Sequence, residues 1–108
     1  MKQHAFLVIF RNQLNQEEEA YIHYANKMAN MVQKQKGYLG HFSFRNEDGF
    51  GVTLSYWEDE AAILQWKNEA AHQEAQEAGQ KKFYAHYSIE IGQILRSYSF
   101  SKDKSQAE

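Results

Sequence analysis

The sequence predicts an α+β fold, a ferredoxin-like βαββαβ unit built on one antiparallel sheet, and three observations carry that expectation. Six segments separate in the order strand, helix, strand, strand, helix, strand. The two central strands alternate apolar and polar residues around the turn-forming NEDG, as a hairpin does. The first strand is apolar at both parities, so it belongs inside a sheet that is covered on both faces.

In that first strand, HAFLVIFRN at residues 4 to 12, Phe6, Val8 and Phe10 share one face and Ala5, Leu7 and Ile9 the other. NQEEEAYIHYANKMANMVQKQKG follows as a helix. Asn15 and Glu18 have the spacing of a capping box, the early glutamates suit the positive end of the helix dipole, and Gly37 suits a left-handed C-terminal cap. Its apolar stripe is Tyr21, Tyr24, Ala25, Met28 and Val32, which reads as core before it reads as a cofactor box.

YLGHFSFRN places Tyr38, Phe42 and Phe44 on one face, and FGVTLSYW does the same for Phe50, Val52, Leu54 and Tyr56, with Gly49 at positive φ in the turn between. The second helical region starts at the acidic EDE with Asp59 as its cap and runs to about Lys82. Asn68 can cap a second segment after a break, and Lys81 and Lys82 suit the negative end. The last strand, about residues 84 to 98, changes apolar parity from Tyr87, Ile89 and Ile91 to Ile94, Tyr98 and Phe100, which a bulge at Gly92 or Gln93 explains. Residues 1 to 100 therefore read as one domain and the polar residues 101 to 108 as a flexible tail.

Composition sets the function classes. A chain of 108 residues that is 43% hydrophobic and 15% aromatic folds around a single aromatic-rich core. A formal charge of -2 with no basic run argues against nucleic acid and anionic membranes as partners. The absence of cysteine fits a reducing compartment, with cytoplasm as the default, and removes thiolate chemistry. AFLVIF is too short for a signal-peptide core or a membrane span. Helices on one side of the sheet leave the other side to be covered, and a second copy in a two-fold dimer is the economical cover.

The segment SYWEDEAAILQWKNEAAHQEAQEAGQKKFYAHYSIEIGQI resembles the antibiotic biosynthesis monooxygenase domain: a strand ending in Tyr-Trp, a Trp on the next helix, a His shortly after, and a long final strand beginning in tyrosines. The resemblance spans about residues 4 to 98 and implies a dimeric α+β barrel. Some members of that family oxygenate polycyclic aromatic or quinol-like substrates with dioxygen and without metal or flavin; others degrade haem or act as quinol oxidases.

Cofactor-free oxygenation needs a pocket for a flat phenol, a base or hydrogen-bond network for its anion, and exclusion of water. Trp66, Asn68 and His72 are the expected catalytic group, and Asn12, Tyr56 and Tyr84 the expected substrate contacts. With Asn68 as a cap, His72 sits one turn inside a helix N-terminus, where the dipole keeps its ring neutral and able to accept a proton. Each residue also has a plain structural reading: Trp66 shares a helix face with Ala62 and Ile63, Trp57 staples strand to helix, and His72 can be a surface histidine. His41, with Ser43 and Arg45, occupies the polar parity of its strand and reads as a solvated or hairpin-edge residue, as does His86, while His4 and His23 have no companion signal.

The histidines lack ligand spacing, so no metal or other cofactor is expected. In the haem-degrading branch an Asn, a Trp and a His form a pocket triad. Asn12 and Trp66 match two of those roles, but Gln76 stands near the place of the histidine and is a poor iron ligand. The leading expectation is thus a cofactor-independent monooxygenase of a small aromatic or quinol-like compound, with a non-catalytic ligand-binding or structural dimer as the alternative and haem binding behind both.

Overall fold

The computed structural model describes residues 5–15, 18–77 and 83–102. Its elements are β1 (Phe6–Leu14), α1 (Glu18–Val32), β2 (Tyr38–Arg45), β3 (Phe50–Trp57), α2 (Glu60–Glu77) and β4 (Tyr84–Gln93), the expected βαββαβ order. The four strands form one sheet in the order β2-β3-β1-β4, and every neighbouring pair is antiparallel. The doubly apolar β1 does lie between two partners. The expected capping box at Asn15 and Glu18 and the lysines at Lys81 and Lys82 involve side chains outside the described residues, as do His4 and Gln76.

The register sorts the side chains into two faces. Across β2, β3, β1 and β4, the rungs on one face are Arg45, Gly51, Asn12 and Tyr87; Ser43, Thr53, Phe10 and Ile89; His41, Ser55, Val8 and Ile91; and Tyr38, Trp57, Phe6 and Gln93. This is the face that meets the helices: Trp57, wholly buried, packs in a cluster with Val32 of α1 and Ala62 and Ile63 of α2, and Phe6, Val8, Tyr38 and Trp66 close around it. The opposite, open face carries Leu7 and Ile9 of β1, Phe42 and Phe44 of β2, and Phe50, Val52, Leu54 and Tyr56 of β3.

Three local expectations change. Tyr38 does not share a face with Phe42 and Phe44: the register shifts between Tyr38 and Gly40, leaving Leu39 as an extra residue and turning Tyr38 toward the helices. The bulge expected near Gly92 lies instead at the start of β4, where Leu14 pairs with Tyr84 and Gln13 with His86, so that Ala85 is the extra residue. β4 is regular from His86 to its end at Gln93, and the Ile94 N–H still bonds the Ala5 carbonyl at 2.9 Å, so no bulge falls at Gly92 or Gln93. Finally, α2 runs unbroken from Glu60 to Glu77, with no break for Asn68 to cap. Side-chain Oδ1 of Asp59 does accept the backbone N–H of Ala62 at 2.9 Å, as an N-cap should.

Two glycines are fixed by geometry. Gly37 has φ 86, and a Cβ there would lie 2.6 Å from Cβ of Ala62, so the turn after α1 needs both a left-handed residue and one without a side chain. Gly49 has φ 89 in the hairpin turn, where the side-chain oxygen of Asn46 accepts the N–H groups of Asp48 and Phe50.

Candidate functional site

One end of the helix-facing floor gathers polar groups among aromatic rings. Asn12 is 1% exposed, and neither its amide nitrogen nor its amide oxygen has a hydrogen-bond partner within the protein. An unpaired buried amide costs on the order of 1–3 kcal/mol, so such a residue calls for an explanation in function. Its neighbour across the β1–β3 ladder is the buried Gly51, over which the Arg45 guanidinium lies: a Cβ on Gly51 would come within 2.6 Å of it. Arg45 donates from Nη1 to the Gly49 carbonyl at 2.7 Å and from Nη2 to the Tyr21 hydroxyl at 2.9 Å, and its charge sits 5.1 Å from the Tyr21 ring centroid.

The other neighbour of Asn12, on β4, is Tyr87. Phe10, Tyr84 and Tyr87 form a ring triangle with centroid separations of 5.4, 5.5 and 6.0 Å, and Tyr21 of α1 stands 5.9 Å from Tyr84. The bulge at Ala85 is what turns both Tyr84 and Tyr87 to this side. Burial pushes the Tyr84 phenol well above its ordinary range, and the adjacent Tyr21 adds to the shift through repulsion and a hydrogen bond, so Tyr84 stays a neutral hydroxyl at physiological pH.

Further along the floor, hydroxyls line β2 and β3. Ser43 and Thr53 are hydrogen-bonded at 2.7 Å, Ser55 accepts the Trp57 indole N–H at 2.9 Å, and the Tyr38 hydroxyl meets Nδ1 of His41 at 2.5 Å. Trp57 links this floor to α2, its ring 5.6 Å from Tyr38 and stacked on Trp66 at 6.5 Å with 25° between the planes. On α2 the inward residues are Ala62, Ile63, Trp66, Ala70 and Gln73, the last of them buried.

The six residues expected from the sequence do not all meet. Asn12 and Tyr84 sit together at the aromatic end, and Trp66 is half-buried against Trp57 in the same sheet-helix layer. Asn68 and His72 are exposed, and because α2 is continuous, His72 lies far from any helix start. The dipole argument for its neutrality therefore falls. Tyr56 pairs with Leu7 on the open face and packs 6.1 Å from Phe42, so it cannot flank one ligand together with Trp66 within one protomer. A shallow hollow of about 280 Å³ is lined by Phe44, Arg45, Asn46, Phe50, Gly51 and Val52, and none of the six expected residues lines it.

Arg45, Tyr21, Gln73 and His41 escaped the sequence reading as site residues. The polar parity of β2 was the available signal: it reads as solvent-facing when helices are assumed to cover the apolar side, yet here the apolar side is the open one.

The comparisons agree with this architecture. The sequence profile described as Antibiotic biosynthesis monooxygenase matches residues 5–78. The uncharacterized protein YqjZ of Bacillus subtilis is 32% identical over 98 residues, covering 91% of this chain and 86% of its own. A protein of Pyricularia oryzae named jasmonate monooxygenase ABM is 25% identical over 95 residues, covering 85% of this chain but only 44% of its own length. Among solved structures, SnoaB of Streptomyces nogalater, a cofactor-independent oxygenase, superposes with a TM-score of 0.69 at 13% identity, covering 92% of this chain and 99% of that one. A conserved protein from Methanosarcina mazei superposes with a TM-score of 0.70 at 16% identity, covering 83% and 92%. With the profile spanning most of the fold and YqjZ matched nearly end to end, the chain belongs to the antibiotic biosynthesis monooxygenase family.

Proposed function

We propose that the protein is a cofactor-independent monooxygenase of a small aromatic or quinol-like substrate, held between the sheet and the two helices. The observation that carries this reading is Asn12: a buried amide with a free donor and a free acceptor, set beside aromatic rings. A flat hydroxyaromatic supplies what that amide lacks, an oxygen to accept its N–H and a hydroxyl to donate to its carbonyl. Trp66 walls the ligand, Tyr84 donates as a neutral phenol, and the charge of Arg45 favours the substrate anion. In an anthrone-type oxidation a ring CH₂ becomes C=O, one atom of dioxygen entering the product and the other leaving in water. The monooxygenase and oxygenase names of the Pyricularia and Streptomyces relatives support the reaction class.

A homodimer is part of the same proposal. Phe42, Phe44 and Phe50 are 45%, 63% and 41% exposed on the open face, while the polar pair Arg11 and Glu90, at 2.7 Å, marks its β1–β4 edge. A second sheet packed there hides the apolar part. The cysteine-free composition supports the cytoplasm as the location, and among the described residues no helix is long and apolar enough to cross a membrane.

Exposure of His72 favours a second reading, a ligand-binding dimer without catalysis, since it puts the expected base on the solvent side of α2. Dioxygen uptake with a panel of hydroquinones and anthrones separates the two. The oxygenase consumes dioxygen with at least one of them, whereas a binder gains thermal stability with the ligand and consumes none.

A further inference from the structure

The oxygenase reading needs a base for the substrate proton, and the floor of the site contains a candidate that the sequence reading had assigned to solvent. His23 and His72 are exposed on the helices and His86 lies on the open face, so among the described residues His41 is the histidine on the helix-facing floor. Half-buried, it shares a rung with Ser55, Val8 and Ile91, between the rung of Trp57 and that of Phe10. Its Nδ1 is 2.5 Å from the Tyr38 hydroxyl, and the two rings lie 5.8 Å apart. The nearby hydroxyls are engaged with other groups, Ser43 with Thr53 and Ser55 with Trp57.

We propose that His41, oriented by Tyr38, is the catalytic base of the site and takes the proton of a substrate hydroxyl at Nε2, a different hydroxyl from the one held by Asn12 two rungs along the sheet; this rests on the oxygenase reading above. The Tyr38 hydroxyl can accept as well as donate, so its contact with Nδ1 accommodates the tautomer that a base needs. When Nδ1–H donates to the Tyr38 oxygen, the lone pair is on Nε2, where it faces no protein partner in the described structure. The Tyr38 phenol is itself raised by burial, so it remains a neutral hydroxyl and does not compete for the substrate proton as a tyrosinate. Proton transfer from the phenol to Nε2 leaves a phenolate and an imidazolium. Dioxygen adds to the ring carbon conjugated with the phenolate, forming a C–O bond; the proton on His41 goes to the outer peroxide oxygen, and loss of the remaining hydrogen of that carbon breaks the O–O bond, leaving C=O and one water. The bulge at Leu39 is required for this pairing, because a regular β2 would turn Tyr38 and His41 to opposite faces.

The test compares wild type with H41Q and Y38F. With a substrate that supports dioxygen uptake, H41Q is expected to lose 10²–10⁴-fold in kcat, roughly the worth of general base catalysis, with KM changed only a few-fold. Added imidazole is expected to restore part of the activity of H41A. An H41Q enzyme within threefold of wild type overturns the assignment. Should H41Q not fold, Y38F, which removes one oxygen atom, is read in its place: a loss of about tenfold or more is expected, and an unchanged kcat is contrary.

If wild type takes up no dioxygen with any substrate, the oxygenase reading fails, and a binding measurement then judges His41 separately. A hydroxyanthraquinone dye, whose phenol and phenolate absorb at different wavelengths, is expected to bind wild type as the phenolate below its free pKa and H41Q as the phenol. Identical bound spectra overturn the role of His41.

Discussion

Asn12 continues the parity of Phe6, Val8 and Phe10 on β1, and the substitution N12L tests why an amide stands there. Leucine has the same number and branching of heavy atoms as asparagine, so it fills the site while removing an amide whose nitrogen and oxygen both lack partners at 1% exposure. Relief of an unsatisfied buried amide is worth about 1–3 kcal/mol, and the slightly larger methyl groups return about 1 kcal/mol of that as crowding. The expected net gain is about 0–2 kcal/mol, with a rise of roughly 4–8 °C in Tm for each kcal/mol in a domain near this size. Urea unfolding followed by tryptophan fluorescence measures it, with protein concentration held fixed across the variants. Binding of the hydroxyanthraquinone is expected to weaken in the same variant. A variant less stable by 1 kcal/mol or more that keeps full ligand affinity would refute the reasoning, since it would show that the amide serves the fold and not the ligand.

Other perturbations follow from the same geometry. G37A places a Cβ 2.6 Å from Ala62 at φ 86, so it is expected to cost about 2–5 kcal/mol, the sum of a left-handed alanine and an overpacked contact, read by the same urea titration. Tyr84 has its pKa raised in the folded state; its contribution is fully present below the unfolded value near 10 and is lost as pH rises above it, so wild type is expected to lose Tm between about pH 10 and 11.5 more steeply than Y84F. F44D introduces a charge into the most exposed phenylalanine of the open face and is expected to convert a dimer to a monomer in analytical ultracentrifugation, whereas wild-type protein that sediments as a monomer contradicts the dimer.

Much of the fold was legible because period and punctuation agree. The alternation of β2 and β3, the Asn46 to Gly49 turn and the stripe of α1 each point to one local structure, and all appear in it. What stayed illegible was which side of the sheet the helices would take. The apolar parity of β2 suggested a core face, yet Phe42 and Phe44 lie open, and the polar parity holding His41, Ser43 and Arg45 forms the floor of the site. The bulges at Leu39 and Ala85 compound this, because one extra residue reverses the face of everything beyond it and leaves no fixed mark in sequence. Asn12 and Tyr84 were reachable through the family resemblance, whereas Asn68 and His72 depended on a helix break that α2 does not make.

The central claim, that the layer between sheet and helices oxygenates a phenol, is tested most directly by dioxygen consumption in the presence of anthrones and hydroquinones, with wild type and N12A side by side under metal-free, flavin-free conditions. The account predicts one dioxygen consumed for each anthrone converted by wild type and a loss of at least tenfold in N12A. No dioxygen uptake by wild type, together with a ligand-induced rise in Tm, would contradict it.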